Sequence, residues 1–133
     1  MNKNTKIEKT GFLLVLIMVL LQGFYGIFAY LDPSVFSTIR GTELFSEQDA
    51  DWVIIYGSRT LFMTLFLGYL LYSRNYKVLM WGALIGVVMP LTDAYLAYVA
   101  QAPLKVILKH VATIVYLLVS YIVLRKAVIQ QAS

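Results

Sequence analysis

The sequence predicts an all-α fold, a four-helix transmembrane bundle running up-down-up-down. Hydrophobic residues make up 60% of the chain and charged ones only 14%, where a soluble domain carries roughly 25% charge. The apolar residues gather into four runs, each of about the 20 residues that a bilayer-crossing helix requires. Two of the three connections, 73–77 and 101–105, are so short that the helices they join must lie antiparallel.

Residues 1–10 form a basic tail with Lys3, Lys6 and Lys9, and the run 11–31 carries no charge. A cleaved secretory leader has a shorter apolar core and a small-residue cleavage site. This run ends instead in Phe28-Ala29-Tyr30-Leu31-Asp32-Pro33, so it is expected to remain as the first span. Gln22 and Tyr25 lie deep in its second half, while Tyr30 at its end suits an interfacial belt. Gly23 and Gly26 allow a neighbouring helix to come close.

Residues 32–51 are the one long connection. Asp32-Pro33 reads as a helix stop and Gly41 as a turn, and the acids of this stretch outnumber its single base, Arg40. Ser46-Glu47-Gln48-Asp49 has capping-box spacing, so the second helix should start near Glu47 and enter the membrane at Trp52. The second span, 52–72, carries Arg59 well inside its apolar run. An arginine there costs roughly 2.5–3.5 kcal/mol and needs a partner.

The third span, 78–100, contains Gly82 and Gly86 in a GxxxG pattern that favours close helix packing. Pro90 has no N–H, so it should leave the Gly86 carbonyl unpaired and bend the helix. Asp93, three residues on, is the only acid within a span. The fourth span, 106–124, has Lys109 and His110 near its start, and 125–133 is a second tail. The membrane domain thus covers 11–124.

Basic residues set the orientation. Seven lie in the N-terminal tail, the 73–77 loop and the C-terminal tail, against Arg40, Lys105 and Lys109 on the other side. The positive-inside rule predicts a multi-pass protein of the cell (plasma) membrane, with both termini cytoplasmic and 32–51 outside.

The charges within the spans converge in depth. Arg59 and Asp93 each lie seven residues from the outer end of their span, about 10 Å deep at 1.5 Å per residue. His110, Gln22 and Tyr25 reach a similar level. The expected arrangement is an Arg59–Asp93 ion pair with His110 close by. Trp52, Tyr56, Arg59, Met63 and Phe66 share one helix face, and Gly82, Gly86, Pro90, Asp93 and Ala97 share the facing one. The two faces either enclose an amphipathic pocket or are filled by the aromatics. The ion pair is either part of a site or a structural pin that fixes register, or else Arg59 alone snorkels outward past Tyr56 to water.

Composition excludes several classes. With no cysteine there is no disulfide, thiolate metal site or Fe–S cluster, and one histidine cannot ligate haem twice. Neither metal nor cofactor is expected. No basic face with interleaved aromatics exists to follow a nucleic-acid backbone, and no internal repeat supports an inverted-repeat transporter.

The segments GSRTLFMTLFLGYLL with Arg59, MPLTDAYL with Pro90 and Asp93, and KHVATIVYLL with His110 resemble an uncharacterised family. These are small four-helix membrane proteins grouped as a domain of unknown function, loosely DoxX-like in size and layout. The resemblance covers most of 11–124. Its pattern places a G-x-R-D-type segment in the second helix, an Asp in the third and a His in the fourth. Here Thr60 stands where that pattern carries an acid. The resemblance implies the fold and no particular reaction.

Two functional readings follow. In one, an outward-facing polar cluster of Arg59, Asp93, His110, Tyr56, Gln22 and Tyr25 binds a lipophilic small molecule or a lipid or quinone headgroup. A variant of that reading makes the bundle an accessory subunit of a membrane complex, with a membrane-protein partner or a second copy of itself. In the other, Asp93 and His110 are catalytic as an acid–base pair and Arg59 stabilises negative charge, as isomerisation or epoxide opening of a lipophilic substrate requires. A small transporter ranks third, because exporters of this size rely on an acid in the first span and 11–31 has none.

Overall fold

The computed structural model describes residues 5–41 and 43–132; residues 1–4 of the basic tail, Lys3 among them, lie outside the described residues. The described chain forms α1 (Lys6–Leu31), α2 (Pro33–Arg40), α3 (Ala50–Tyr72), α4 (Tyr76–Ile85), α5 (Val88–Val99) and α6 (Leu104–Ala132). No strand occurs among these residues. The stretches Lys6–Leu31, Glu47–Tyr72, Tyr76–Val99 and Leu104–Ala132 are each long and apolar enough to cross a membrane. The protein is an all-α, multi-pass membrane bundle.

The described residues of both expected tails are largely helical. Thr5 and Glu8 form a capping box: the Glu8 N–H donates to Thr5 Oγ1 at 3.2 Å and the Thr5 N–H to the Glu8 carboxylate at 3.0 Å. At the other end α6 runs on to Ala132, and the Gln131 amide donates to Glu8 Oε1 at 2.8 Å. A helix continues past its apolar run because backbone hydrogen bonding, unlike lipid contact, does not stop at the first charged side chain.

The stretch 32–51 is not a plain connection. Asp32 ends α1 and at once caps α2, its carboxylate accepting from the Val35 N–H at 3.0 Å, with Pro33 in the first turn. Gly41 stops α2 in the left-handed region at φ 88°. Before α3, the Asp49 carboxylate accepts from the N–H groups of Phe45 and Ser46, both at 3.0 Å, and a 3₁₀ turn leads in at Glu47–Asp49.

Pro90 breaks the third spanning stretch into α4 and α5. The Gly86 carbonyl, expected to stay unpaired, accepts instead from the Met89 N–H at 3.1 Å, because the chain tightens by one residue at the break.

Packing is uneven. α1 lies along α3 at close range: a Cβ placed on Gly57 would sit 3.1 Å from the Gly26 carbonyl and from Ala29 Cβ. The close approach expected at Gly23 and Gly26 is therefore made with α3. α6 packs on α4, α5 and α1, and the Tyr116 hydroxyl donates to the Leu14 carbonyl at 2.7 Å. α3 meets α4 lightly and α5 hardly at all. A continuous core of Val15, Leu70, Leu71, Tyr76, Leu79, Met80 and Leu124 fills the bundle at the end where α3 turns into α4. Toward the α2 end, α3 and α5 stand apart.

The GxxxG glycines make no tight helix contact. The nearest side chain to a Cβ on Gly82 is Leu67 at 3.9 Å, and a Cβ on Gly86 would meet only its own chain. Both border the space between α3 and α5 instead.

Candidate functional site

Short α2 plugs the gap between α3 and α5. Phe36, 3% exposed, seats it against α1 and α3, with its ring centroid 6.1, 5.8 and 5.5 Å from those of Tyr25, Phe28 and Tyr56. Gly41 holds its far end against α6: a Cβ there would lie 2.7 Å from Val106 Cγ1. The Lys109 ammonium reaches across to donate to the Ile39 carbonyl at 2.9 Å.

This placement turns Arg40 inward. Its guanidinium forms an ion pair with the Asp93 carboxylate, donates to the Tyr56 hydroxyl at 3.0 Å, and lies 5.0 Å from the Tyr56 ring centroid. His110 is buried, with Nδ1 3.9 Å from Asp93 Oδ2 and Nε2 3.4 Å from the Arg40 carbonyl. Among the described residues no three metal-type ligands converge.

The ion pair differs from the expected one. Asp93 is held by Arg40, and Arg59 has no ion-pair or hydrogen-bond partner among the described residues. Equal depth is not enough to make two charges meet. α3 and α5 belong to consecutive spanning stretches, yet they diverge beyond the break at Gly86–Val87, and α2 supplies a nearer cation.

The gap between the helices is a cavity of about 470 Å³. All six residues that the sequence singles out border it: Gln22, Tyr25, Tyr56, Arg59, Asp93 and His110. Its walls include Leu14, Met18, Met63, Leu67 and Leu79, so it is apolar with polar groups gathered toward α2. Gln22 is nearly free within it, its amide making only a 3.7 Å contact with the Met18 sulfur, a weak acceptor. A second hollow of about 380 Å³ lies on the other side of α2 and α3, bordered by Glu43, Asp49, Trp52 and Leu96. Arg40, Tyr56 and Asp93 line both and form the partition between them.

Arg40 and Lys109 belong to this cluster but are not among the candidates that the sequence singles out. The signal for Arg40 lies in Asp32-Pro33 and Gly41, which bracket residues 33–40 as a helix start and stop. Phe36 and Arg40 within them stand four residues apart on one helix face, which packs inward while Val35 and Ile39 stay exposed. An amphipathic helix of that kind packs down rather than waving in solvent. For Lys109 the signal is adjacency to His110 at the start of a span.

No curated protein and no solved structure matches the chain, so the DoxX-like layout stays an expectation. The family described as a domain of unknown function (DUF4267) matches residues 15–124, which run from within α1 to the apolar part of α6 and take in every residue bordering the cavity except Leu14. By that match, extending over most of its length, the chain belongs to the DUF4267 family.

Proposed function

We propose that this protein binds a lipophilic small molecule within the bundle, in the cavity between α3 and α5. One observation carries the reading: a hollow of about 470 Å³ has apolar walls and a polar end made of the in-span charges. Ligand sites typically measure about 300–1,000 Å³ and combine such walls with a few convergent polar groups. Charged residues inside a membrane segment are costly to keep, and they mark binding or transfer pathways more often than packing.

The test uses Gly82, which borders the cavity and has only Leu67, in ordinary contact at 3.9 Å, near the point where a side chain would project. Wild-type protein purified in mild detergent is expected to carry a specific lipophilic passenger, detectable by mass spectrometry. Gly82→Leu should lose it without loss of thermal stability. The same passenger retained at full occupancy in Gly82→Leu sinks the reading. A stoichiometric protein partner in place of the passenger supports the accessory-subunit role.

The approach of His110 to Asp93 favours a second reading, acid–base chemistry on the bound molecule. It requires Asp93 to exchange Arg40 for His110, since Nδ1 is 3.9 Å from the carboxylate. A passenger recovered in altered form from wild type, and unaltered from His110→Ala, distinguishes it from simple binding.

The cytoplasmic placement of both termini in the plasma membrane belongs to the same proposal and rests on the seven-to-three basic asymmetry. The chain has no thiol, so single cysteines report cleanly. Gln48→Cys should react with a membrane-impermeant reagent in intact cells, and Asn75→Cys should not. The opposite pattern inverts the orientation.

A further inference from the structure

Four charged side chains besides His110 border the intramembrane cavity: Arg40, Arg59, Lys109 and Asp93. Arg40 and Asp93 neutralise each other in an ion pair. Lys109 is tied to a backbone carbonyl, which satisfies one N–H but no charge. Arg59 lies within the apolar run of α3, about one turn from each of its cavity-lining neighbours Tyr56 and Met63. It is exposed rather than packed among other side chains, and it makes neither an ion pair nor a hydrogen bond with any described residue.

The cavity therefore holds two cations, Arg59 and Lys109, with no carboxylate left to balance them. A guanidinium presents five donors in a planar fork that matches a carboxylate or a phosphate. In a medium of low dielectric an unbalanced cation is stable only if an anion or water reaches it. We propose that the ligand is an amphiphile with an anionic head, carboxylate or phosphate, gripped by Arg59 and attracted by Lys109, its chain lying among Leu14, Met18, Leu67 and Leu79. This inference rests on the cavity-binding reading and narrows it. A neutral head such as a quinone carbonyl would leave both cations unbalanced, and a cationic head would be repelled.

The test measures binding of single-chain probes to the wild-type protein in a non-ionic detergent, by competition against radiolabelled oleate. Oleate and oleoyl lysophosphatidate are the anionic probes, oleyl alcohol the neutral one and oleylamine the cationic one. At least one anionic probe should bind about tenfold more tightly than the alcohol, or better, as a charge-assisted contact implies, with the amine weakest. Preference between the two anions tells a free fatty acid from a phospholipid source. Arg59→Gln should bring the anion down to the level of the alcohol and leave the alcohol unchanged, while Arg59→Lys keeps most of the preference. Equal binding of anion and alcohol to wild type overturns the inference, as does an undiminished anion preference in Arg59→Gln, and in both cases the cavity reading survives. If no probe binds and Gly82→Leu changes nothing, the cavity reading itself has failed. The ranking on wild type needs no variant, so it decides the matter even if Arg59→Gln does not fold.

Discussion

Where α3 turns into α4, Leu70, Leu71, Tyr76 and Leu79 close on Val15 and Leu124, and Leu124 and Tyr76 are almost wholly enclosed. At the α2 end the same helices enclose a hollow, and what crosses it is charge: Arg40 to Asp93, Lys109 to Ile39, His110 beside both. Between helices in a membrane there is no hydrophobic driving force, so close packing and polar contacts must hold them together. One end relies on packing. The other relies on polar contacts around a space that packing leaves open, and it is there that selectivity for a ligand can reside.

The sharpest way to break this comparison is to delete the same kind of apolar mass at each end. Leu124→Ala, at a side chain with no exposure, should destabilise by about 2–5 kcal/mol, the usual cost of a new cavity in a tight core. Met63→Ala lines a cavity that already exists, so fewer contacts are lost and about half that cost or less is expected. Equal losses in reversible unfolding from detergent micelles would mean that the hollow is not a hollow in solution.

The ion pair comes next. Asp93→Ala strands the Arg40 guanidinium and should cost about 3 kcal/mol, the low end for a buried pair because both side chains keep some exposure, 16% and 29%. In a double-mutant cycle Arg40 and Asp93 should couple by about 0.5–3 kcal/mol, while Arg59 and Asp93 should be additive within about 0.5 kcal/mol. Coupling of Asp93 to Arg59 in place of Arg40 would restore the pairing expected from depth alone.

That pairing shows what a sequence can and cannot reveal here. The four spans, the break at Pro90 and the bordering of one space by Gln22, Tyr25, Tyr56, Arg59, Asp93 and His110 all follow from hydropathy, proline chemistry and counting along helices. Depth is a one-dimensional quantity, and those readings need nothing more. Which residue pairs with Asp93 depends on the lateral spacing of α3 and α5 and on whether 33–40 packs inward, which no count along a span supplies. The GxxxG of α4 misleads for the same reason: small residues permit close approach, but here they border the cavity.

A smaller effect is expected from Gly41→Ala. The residue sits at φ 88° with Val106 and Ala102 against it, so a methyl group is strained by conformation and by contact, about 1–2 kcal/mol. The damage should be local to α2. Ser37→Cys places a thiol at a position 5% exposed, and it should label slowly alone and much faster when combined with Gly41→Ala. Unchanged labelling would show that α2 is held without its glycine stop.

The smallest stability change is predicted for His110→Ala. The imidazole makes one long contact to the Arg40 carbonyl at 3.4 Å, and its other nitrogen stands 3.9 Å from Asp93, beyond hydrogen-bond range. Deleting it enlarges an existing cavity rather than opening a new one, so about 1 kcal/mol or less should be lost. Asp93→Asn, by contrast, removes the charge that holds Arg40 and should lower stability more. Melting temperature and passenger retention measured side by side separate scaffold from site. Retention that falls in step with stability across both variants marks the cluster as a pin between helices. Retention lost in His110→Ala at nearly full stability marks it as the polar wall of a binding site, because a buried side chain with so few polar contacts to the protein then matters chiefly to what occupies the space in front of it.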